Sequence, residues 1–220
     1  MFLAADRQTI TVRVAHAGCI VEFVHTGDYG SGSLAVRFDA GFAALMKNQG
    51  ENKLGEPCDD KVLVRWHDGV VPQNTSLDMR TNVEMPAIQE PARWLTCTSE
   101  LPTALAEARK TTSHDFSRFA TQHVCLRGSK HEVAATDGRQ LLRWGEFRFP
   151  WTEDLLIAGP PAFDAAELRS RSSWEVGRTE EQVVFRSGPW RIAASIEKEG
   201  RTLSECRFGY ANVGQARHST

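Results

Sequence analysis

The sequence lacks the features that mark membrane, secreted and metal-binding proteins. No apolar run approaches the roughly 18 residues that a membrane-spanning helix needs. The start, MFLAADRQ, lacks the basic and apolar regions of a signal peptide. The five cysteines are widely spread and form neither CxxC pairs nor a disulfide framework. We therefore expect a cytoplasmic protein that uses no membrane, metal or disulfide.

The chain also lacks an excess of charge of either sign. It carries 26 basic and 28 acidic residues, for a net charge of −2. No bulk positive field points to a nucleic-acid partner, although a local basic stripe stays possible. With 220 residues, 41% of them hydrophobic, the chain is long enough for one or two globular domains.

Catalytic signatures are missing as well. There is no G-x-S-x-G nucleophile motif, and no Gly-Lys-Ser/Thr follows the glycine-rich stretch 27–33, which rules out a Walker loop. The adjacent pairs His67-Asp68 and His114-Asp115 are typical of turns, because chain neighbours seldom face one substrate. We expect no catalytic residues and no cofactor. An enzyme on an unrelated fold stays open as the third-ranked alternative.

What the chain does contain is alternating and helical hydrophobic periodicity. Apolar Ile10, Val12 and Val14 alternate with polar neighbours, which predicts a half-buried strand. Helical spacing predicts short helices, and further strands are predicted from β-branched runs between turn signals. The predicted helices are 38–46, 101–110 and 163–169. The later predicted strands are 19–24, 61–66, 70–71, 75–79, 123–127, 132–136, 140–144, 155–158, 174–177, 182–186 and 191–196.

The pattern repeats along the chain at a nearly constant spacing. Val12 matches Val133 and the run 62–65 matches 183–186, each 121 residues apart, while Phe38-Asp39-Ala40 recurs 125 residues later at 163–165. Such a spacing indicates that one supersecondary unit is duplicated within the chain.

One hairpin signal raises a functional question. The stretch VAATDGRQL, residues 133–141, places Asp-Gly between two apolar runs, which is among the strongest short-range hairpin signals. The same stretch resembles the V-A-T-D-G-H-R-L signature of bacterial DNA polymerase III β-subunits, the sliding clamps. DLLIAGPPAFDAAEL and EEQVVFRSGPWRIAASIEKEGR are similar to later segments of that family. The resemblance spans about residues 1–207.

The resemblance implies an α+β fold of the DNA-clamp (processivity) class. Half-domain repeats would place short helices on antiparallel sheets. Residues 1–85 would be an incomplete clamp-like domain without its first strand and helix, 86–97 a linker, 98–208 a complete clamp-like domain and 209–220 a tail. A fragment and a natural short form both remain open.

The resemblance also implies non-catalytic binding of double-stranded DNA without sequence preference, in a homo-oligomer. Basic side chains on the inward helices would meet phosphates. The expected DNA-facing residues are Lys47, Arg109, Lys110, Arg169 and Arg171.

A peptide cleft is the second implied site, through which replication or repair proteins would bind by a short peptide motif. Its expected residues are Thr136, Gly138, Arg139, Leu141 and Arg207. Gln140 stands where the family has Arg, and Thr202-Leu203 replaces an aromatic and a proline, which removes apolar wall. A purely structural hairpin, and a clamp-fold module that binds peptides without encircling DNA, are the alternatives.

Overall fold

The computed structural model describes residues 1–37, 53–80, 85–112 and 122–197. The predicted helix 38–46 lies outside them. Within the described residues the chain forms fifteen strands, two α-helices and one 3-10 helix. The strands are β1 Phe2–Ala5, β2 Thr9–His16, β3 Cys19–Thr26, β4 Gly32–Ala35, β5 Lys53–Cys58, β6 Lys61–Asp68, β7 Val71–Asp78, β8 Trp94–Cys97, β9 Val124–Arg127, β10 Glu132–Thr136, β11 Leu141–Trp144, β12 Asp154–Ile157, β13 Trp174–Arg178, β14 Gln182–Ser187 and β15 Trp190–Ser195. The helices are α1 Leu101–Thr111, α2 Ala166–Arg169 and the 3-10 helix Pro161–Asp164.

Antiparallel pairing assembles the strands into three sheets. The largest has eight strands in the order β4-β1-β2-β3-β15-β14-β13-β8. A four-stranded sheet has the order β11-β10-β9-β12, and a three-stranded sheet has the order β5-β6-β7. The predicted α+β class, with short helices on antiparallel sheets, is confirmed.

The strand order contains the predicted duplication. The order β4-β1-β2-β3 in the first part of the chain recurs as β12-β9-β10-β11 in the second. The pairing registers of the two four-stranded arrangements agree residue by residue. A row of directly paired residues across β4-β1-β2-β3 therefore corresponds to a row across β12-β9-β10-β11. The first row is Leu34, Leu3, Val12 and Phe23, and the second is Leu155, Leu126, Val133 and Trp144.

The strands that follow in each part of the chain also correspond to one another. We call β1–β7 the first unit and β9–β15 the second unit. β6 is the central strand of β5-β6-β7, and β14 is central among β13, β14 and β15. Val62 and Val64 are fully buried, as are their counterparts Val183 and Phe185. The match that begins at Phe38 lies outside the described residues.

The main core lies between the strands of the second unit and its helices. Helix α1 buries Leu101, Ala104, Leu105 and Ala108, whose spacing of three and four residues places them on one face. Phe163 is fully buried and contacts the rings of Trp174 and Phe185 edge-on, at centroid distances of 5.2 and 5.5 Å. These contacts fix the helical segment against the sheet.

The structure differs from the predicted helix 163–169. The segment forms the 3-10 helix and then α2, separated by Ala165 in extended conformation at φ −72° and ψ 124°. Pro160 and Pro161 begin the segment. Burial of Phe163, and not a continuous helical periodicity, determines the path of the backbone here.

The sequence pattern did not predict four of the strands, namely β1, β4, β5 and β8. β4 starts with Gly32-Ser33, and β5 contains Gly55 and Pro57, which are turn signals locally. β8 occupies residues 94–97 of the predicted linker and pairs with β13. Pairing with distant partners stabilises these strands where local propensity does not. The division into domains stays a prediction.

Candidate functional site

The hairpin between β10 and β11 is held by its own side chains. The Thr136 hydroxyl donates to the Gln140 carbonyl at 2.5 Å and accepts from the Gly138 N–H at 3.0 Å. Asp137 Oδ1 accepts from the N–H groups of Arg139 and Gln140 at 2.8 and 2.7 Å. These backbone bonds lower the pKa of Asp137. Local turn chemistry therefore accounts for the Thr and Asp of the motif.

Gly138 is needed for its conformation, because its φ of +88° lies in the left-handed region. The structure brings Thr136, Gly138, Arg139 and Leu141 together on this one hairpin. Thr136 is buried, whereas Arg139 is exposed. Arg207 lies outside the described residues.

Leu141 is an exposed apolar side chain on the outer strand of its sheet, with 46% of its surface accessible. Its counterpart in the first unit is Ile20, which is only 6% exposed. The difference arises because β3, which carries Ile20, pairs with β15, whereas β11 has no such neighbour among the described strands. Leu141 therefore has the same apolar character but lacks the cover that its counterpart has.

Two of the predicted DNA-facing cations are engaged by carboxylates. Arg109 donates to Asp164 at 2.6 Å and so joins α1 to the 3-10 helix. Lys110 donates to Glu107 on its own helix at 2.7 Å. Both pairs are partly exposed, with 37–52% of each side chain accessible, so the carboxylates reduce the local positive field more than they stabilise the fold.

Of the other two described cations, Arg169 is the last residue of α2 and Arg171 follows the helix. Neither has a carboxylate within ion-pair distance in the described part of the chain. The positive charge available near the helices is therefore concentrated at these two residues. Lys47 lies outside the described residues.

The two repeated units meet where β3 pairs with β15, a junction that we call the seam. Trp190 lies opposite Phe23 with ring centroids 4.6 Å apart. Glu22 is buried and accepts from Arg13 Nε at 2.9 Å. Arg191 of β15 lies 3.6 Å from the Glu22 carboxylate. The buried Glu22 carboxylate is thus shared by Arg13 of its own unit and by Arg191 across the seam. The sequence pattern did not predict this arrangement.

A connecting segment, residues 85–93, runs along the face of this sheet that carries Glu22 and Arg191. Ile88 packs against the small cluster of Ile20, Val184 and Ala193. Glu90 accepts from Arg191 at 2.5 Å and from the Trp94 indole at 3.1 Å. The segment predicted as a linker is therefore attached to the seam. An isolated apolar residue between two prolines was the only sequence signal for it.

Two of the described cysteines, Cys19 and Cys97, are buried. Burial raises the pKa of the Cys19 and Cys97 thiols to about 12, so neither is a nucleophile near neutral pH. No group of three metal-ligating side chains occurs among the described residues. His67 and Asp68 are exposed at the end of β6, and His114-Asp115 lies outside the described residues.

None of the helices in the described residues is long and apolar enough to cross a membrane.

Solved bacterial clamps have a similar fold. The DNA polymerase III β chain of Streptococcus pneumoniae matches with a TM-score of 0.69 and 15% identity over 93% of this chain and 58% of that chain. The β subunit of Pseudomonas aeruginosa matches with a TM-score of 0.73 and 10% identity, over 96% and 60%. The sliding clamp of Bacillus subtilis matches with a TM-score of 0.70 and 13% identity, over 91% and 57%.

No protein-family model and no curated protein matches the sequence. At such low identities the structural likeness establishes the fold alone. The chain spans 57–60% of the length of these solved clamps, and its described residues adopt the sliding-clamp fold.

Proposed function

We propose that this protein is a non-catalytic, clamp-like scaffold that associates with double-stranded DNA without sequence preference and assembles edge to edge with further copies of itself. The observation that carries the proposal is the seam. One unit already joins the next through β3 and β15, and the duplication provides a second pair of equivalent edges, β11 and β7. Each of these edges has one open side among the described strands, and open edges are sites at which another chain adds to a sheet.

The registers predict how these two edges meet. Val62 corresponds to Val183, and the ladders of the two hairpins then make Asn74 the counterpart of Arg191. In the same way Arg143 is the counterpart of Glu22. Since Arg191 lies opposite Glu22 in the seam, Asn74 of one copy is expected opposite Arg143 of another.

Two details favour this pairing. Pro72 on β7 is the counterpart of Pro189, which directly precedes β15. Pro189 contributes only its carbonyl to the seam, where it accepts from the Val24 N–H at 3.0 Å. A proline is thus compatible with the same position on β7. Pairing also supplies the missing neighbour of Leu141, whose counterpart Ile20 is buried beside the seam.

Disulfide trapping tests the assembly. In a background with Cys58 and Cys206 replaced by Ser, Asn74→Cys combined with Arg143→Cys should give oxidised, covalently linked multimers, because paired strands bring Cα atoms within disulfide range. The matched control is Ser76→Cys with Arg143→Cys, displaced by two residues on the same strand. Equal cross-linking of both pairs, or none of the first, contradicts the predicted edge pairing.

Retention on circular DNA tests the association. A closed assembly should stay on nicked circular plasmid through gel filtration and leave it after the plasmid is made linear. Retention should weaken as salt rises, because phosphate contacts release counterions. A protein that elutes free of circular plasmid at every protein concentration and ionic strength is inconsistent with a DNA clamp.

A clamp-fold module that binds peptides without encircling DNA is the second candidate. It is favoured by the hydrogen-bonded hairpin that carries exposed Arg139 and Leu141. It predicts that Leu141→Ala weakens binding of a hydrophobic peptide without changing the oligomeric state. An unchanged binding isotherm for that variant excludes the idea.

A further inference from the structure

A polar cavity of about 530 Å³ lies beside α2, between the segment that follows this helix and the turn between β14 and β15. Four charged side chains line it, namely Glu167, Arg171, Glu175 and Arg186. Its lining includes neither the hairpin 136–141 nor any residue of β3 or β15. A cavity of this volume is large enough for a small molecule, and polar walls favour a polar one.

Two of the four charged side chains neutralise each other. Arg186 donates to the Glu175 carboxylate at 2.7 Å, and this hydrogen bond lowers the pKa of Glu175. The Arg186 guanidinium also lies 4.0 Å from the centroid of the Trp94 ring, which helps to fix its position. The charge that remains for a ligand therefore comes from Glu167 and Arg171.

Glu167 and Arg171 have the spacing of an ion pair but do not form one. Glu167 lies in α2, and Arg171 follows it by four residues, a spacing at which a glutamate and an arginine on a helix attract each other. Ser170 between them is also helical, at φ −78° and ψ −4°. Neither charged side chain has an oppositely charged group within ion-pair distance in the described part of the chain. Two separate, opposite charges thus line one cavity.

The turn between β14 and β15 holds Arg171 in this position. Its Nε donates to the Ser187 hydroxyl at 3.0 Å, and that hydroxyl donates to the Ser173 carbonyl at 2.5 Å. Ser187 is buried, so this support lies inside the fold. Gly188 leaves room for the guanidinium, since a Cβ there would lie 2.7 Å from Arg171 Nη2. The N–H groups of Nη1 and Nη2 are left for a ligand, and two such donors match the oxygens of a carboxylate.

An unneutralised cation and an unneutralised anion in one cavity select a ligand that carries both charges. A simple anion is attracted by Arg171 but opposed by Glu167, and a simple cation is attracted by Glu167 but opposed by Arg171. A zwitterion satisfies both side chains, because its carboxylate accepts from the guanidinium while its ammonium group donates to the glutamate. An α-amino acid carries this pair of charges on one carbon.

From this arrangement we propose that the cavity binds a small zwitterion of the α-amino acid class, with Arg171 contacting its carboxylate and Glu167 its ammonium group. Ser187 and Gly188 are positioning residues for Arg171. Binding at this site requires neither DNA nor a second copy of the chain. The site therefore gives Arg171 a role different from the predicted contact with phosphate.

The test is a titration of the full chain with glycine, with acetate and with methylammonium, while the Gly188 amide is followed by NMR. Glycine should shift this resonance saturably and with a lower midpoint concentration than either singly charged probe. Equal midpoints for glycine and acetate identify a simple anion site and overturn the proposal. The absence of a saturable shift with glycine overturns it as well.

Charge-removing variants identify the two contacts. Arg171→Met and Glu167→Gln should each lower the affinity for glycine about tenfold, because each removes a hydrogen bond between charged groups. Glu167→Gln should also strengthen binding of acetate, since the opposing charge is gone. The matched controls are Arg148→Met and Glu180→Gln, which remove the same charges from exposed positions elsewhere. Equal effects of variants and controls contradict the proposed site, as does unchanged acetate binding in Glu167→Gln.

Ser187→Ala keeps every charge and tests the positioning of Arg171. Without its acceptor, Arg171 is free to pair with Glu167, and the affinity for glycine should fall about threefold. The titration is made well below the midpoint of thermal unfolding of this variant, so that loss of the fold does not enter the result. An affinity equal to that of the unmodified protein contradicts the proposed separation of the two charges.

Discussion

Glu22 is expected to be the side chain that contributes most polar stabilisation to the seam. Glu22→Gln keeps the shape of the side chain but removes the charge shared by Arg13 and Arg191. Hydrogen bonds to charged groups contribute about 1.5–3 kcal/mol each, and removing one partner of a fully buried pair costs about 3–5 kcal/mol. Because the Arg13 and Arg191 side chains are 22% and 29% exposed, they regain some hydration. We therefore expect a loss of about 2 kcal/mol in the free energy of unfolding.

Urea denaturation measures this loss, and Glu107→Gln is the control. Glu107 pairs with Lys110 at the surface of α1, so its change should cost no more than about 0.5 kcal/mol. A double-mutant cycle of Glu22→Gln with Arg191→Met should give a coupling of at least about 0.5 kcal/mol across the seam. Equal losses for Glu22→Gln and Glu107→Gln, or a coupling indistinguishable from zero, would refute the reasoning.

Three further expectations concern the strand packing, the hairpin and the thiols. Gly177→Ala should lower the unfolding free energy by about 1–3 kcal/mol in urea, because a Cβ would lie 2.6 Å from Pro91 Cβ; an unchanged midpoint contradicts this. Asp137 should titrate by NMR below its ordinary pKa of 3.8, and its stabilisation of the turn should be lost as pH falls through that lowered pKa; a midpoint at or above 3.8 refutes it. Cys19 and Cys97 keep their protons in the fold but ionise above about pH 9 when unfolded, so stability should fall from pH 8 to pH 10 by about 2–3 kcal/mol more than in the Cys19→Ala/Cys97→Ala variant; equal pH slopes refute it.

Periodicity predicted the strands of the second unit with small boundary errors. Glu132–Thr136 was predicted with both ends correct, and the predicted helix 101–110 ends one residue before α1 does. These segments succeed because each buries one face, which imposes a period of two or 3.6 residues on the sequence. The hairpin at 136–141 was predictable for a similar reason, since Asp137 and Gly138 form the turn with their own chain neighbours.

Local sequence by itself therefore determined most strands, the duplicated unit and the hairpin, because alternation, helical spacing and turn residues act over short distances, while the α+β class followed from the family resemblance. Only the tertiary structure decided that β3 pairs with β15, that residues 85–93 lie against the sheet, and that Arg171 rather than Arg109 keeps an unneutralised charge. Those outcomes depend on contacts between residues far apart in the chain, and the identity of a partner across a seam or a cavity leaves no periodic mark in the sequence.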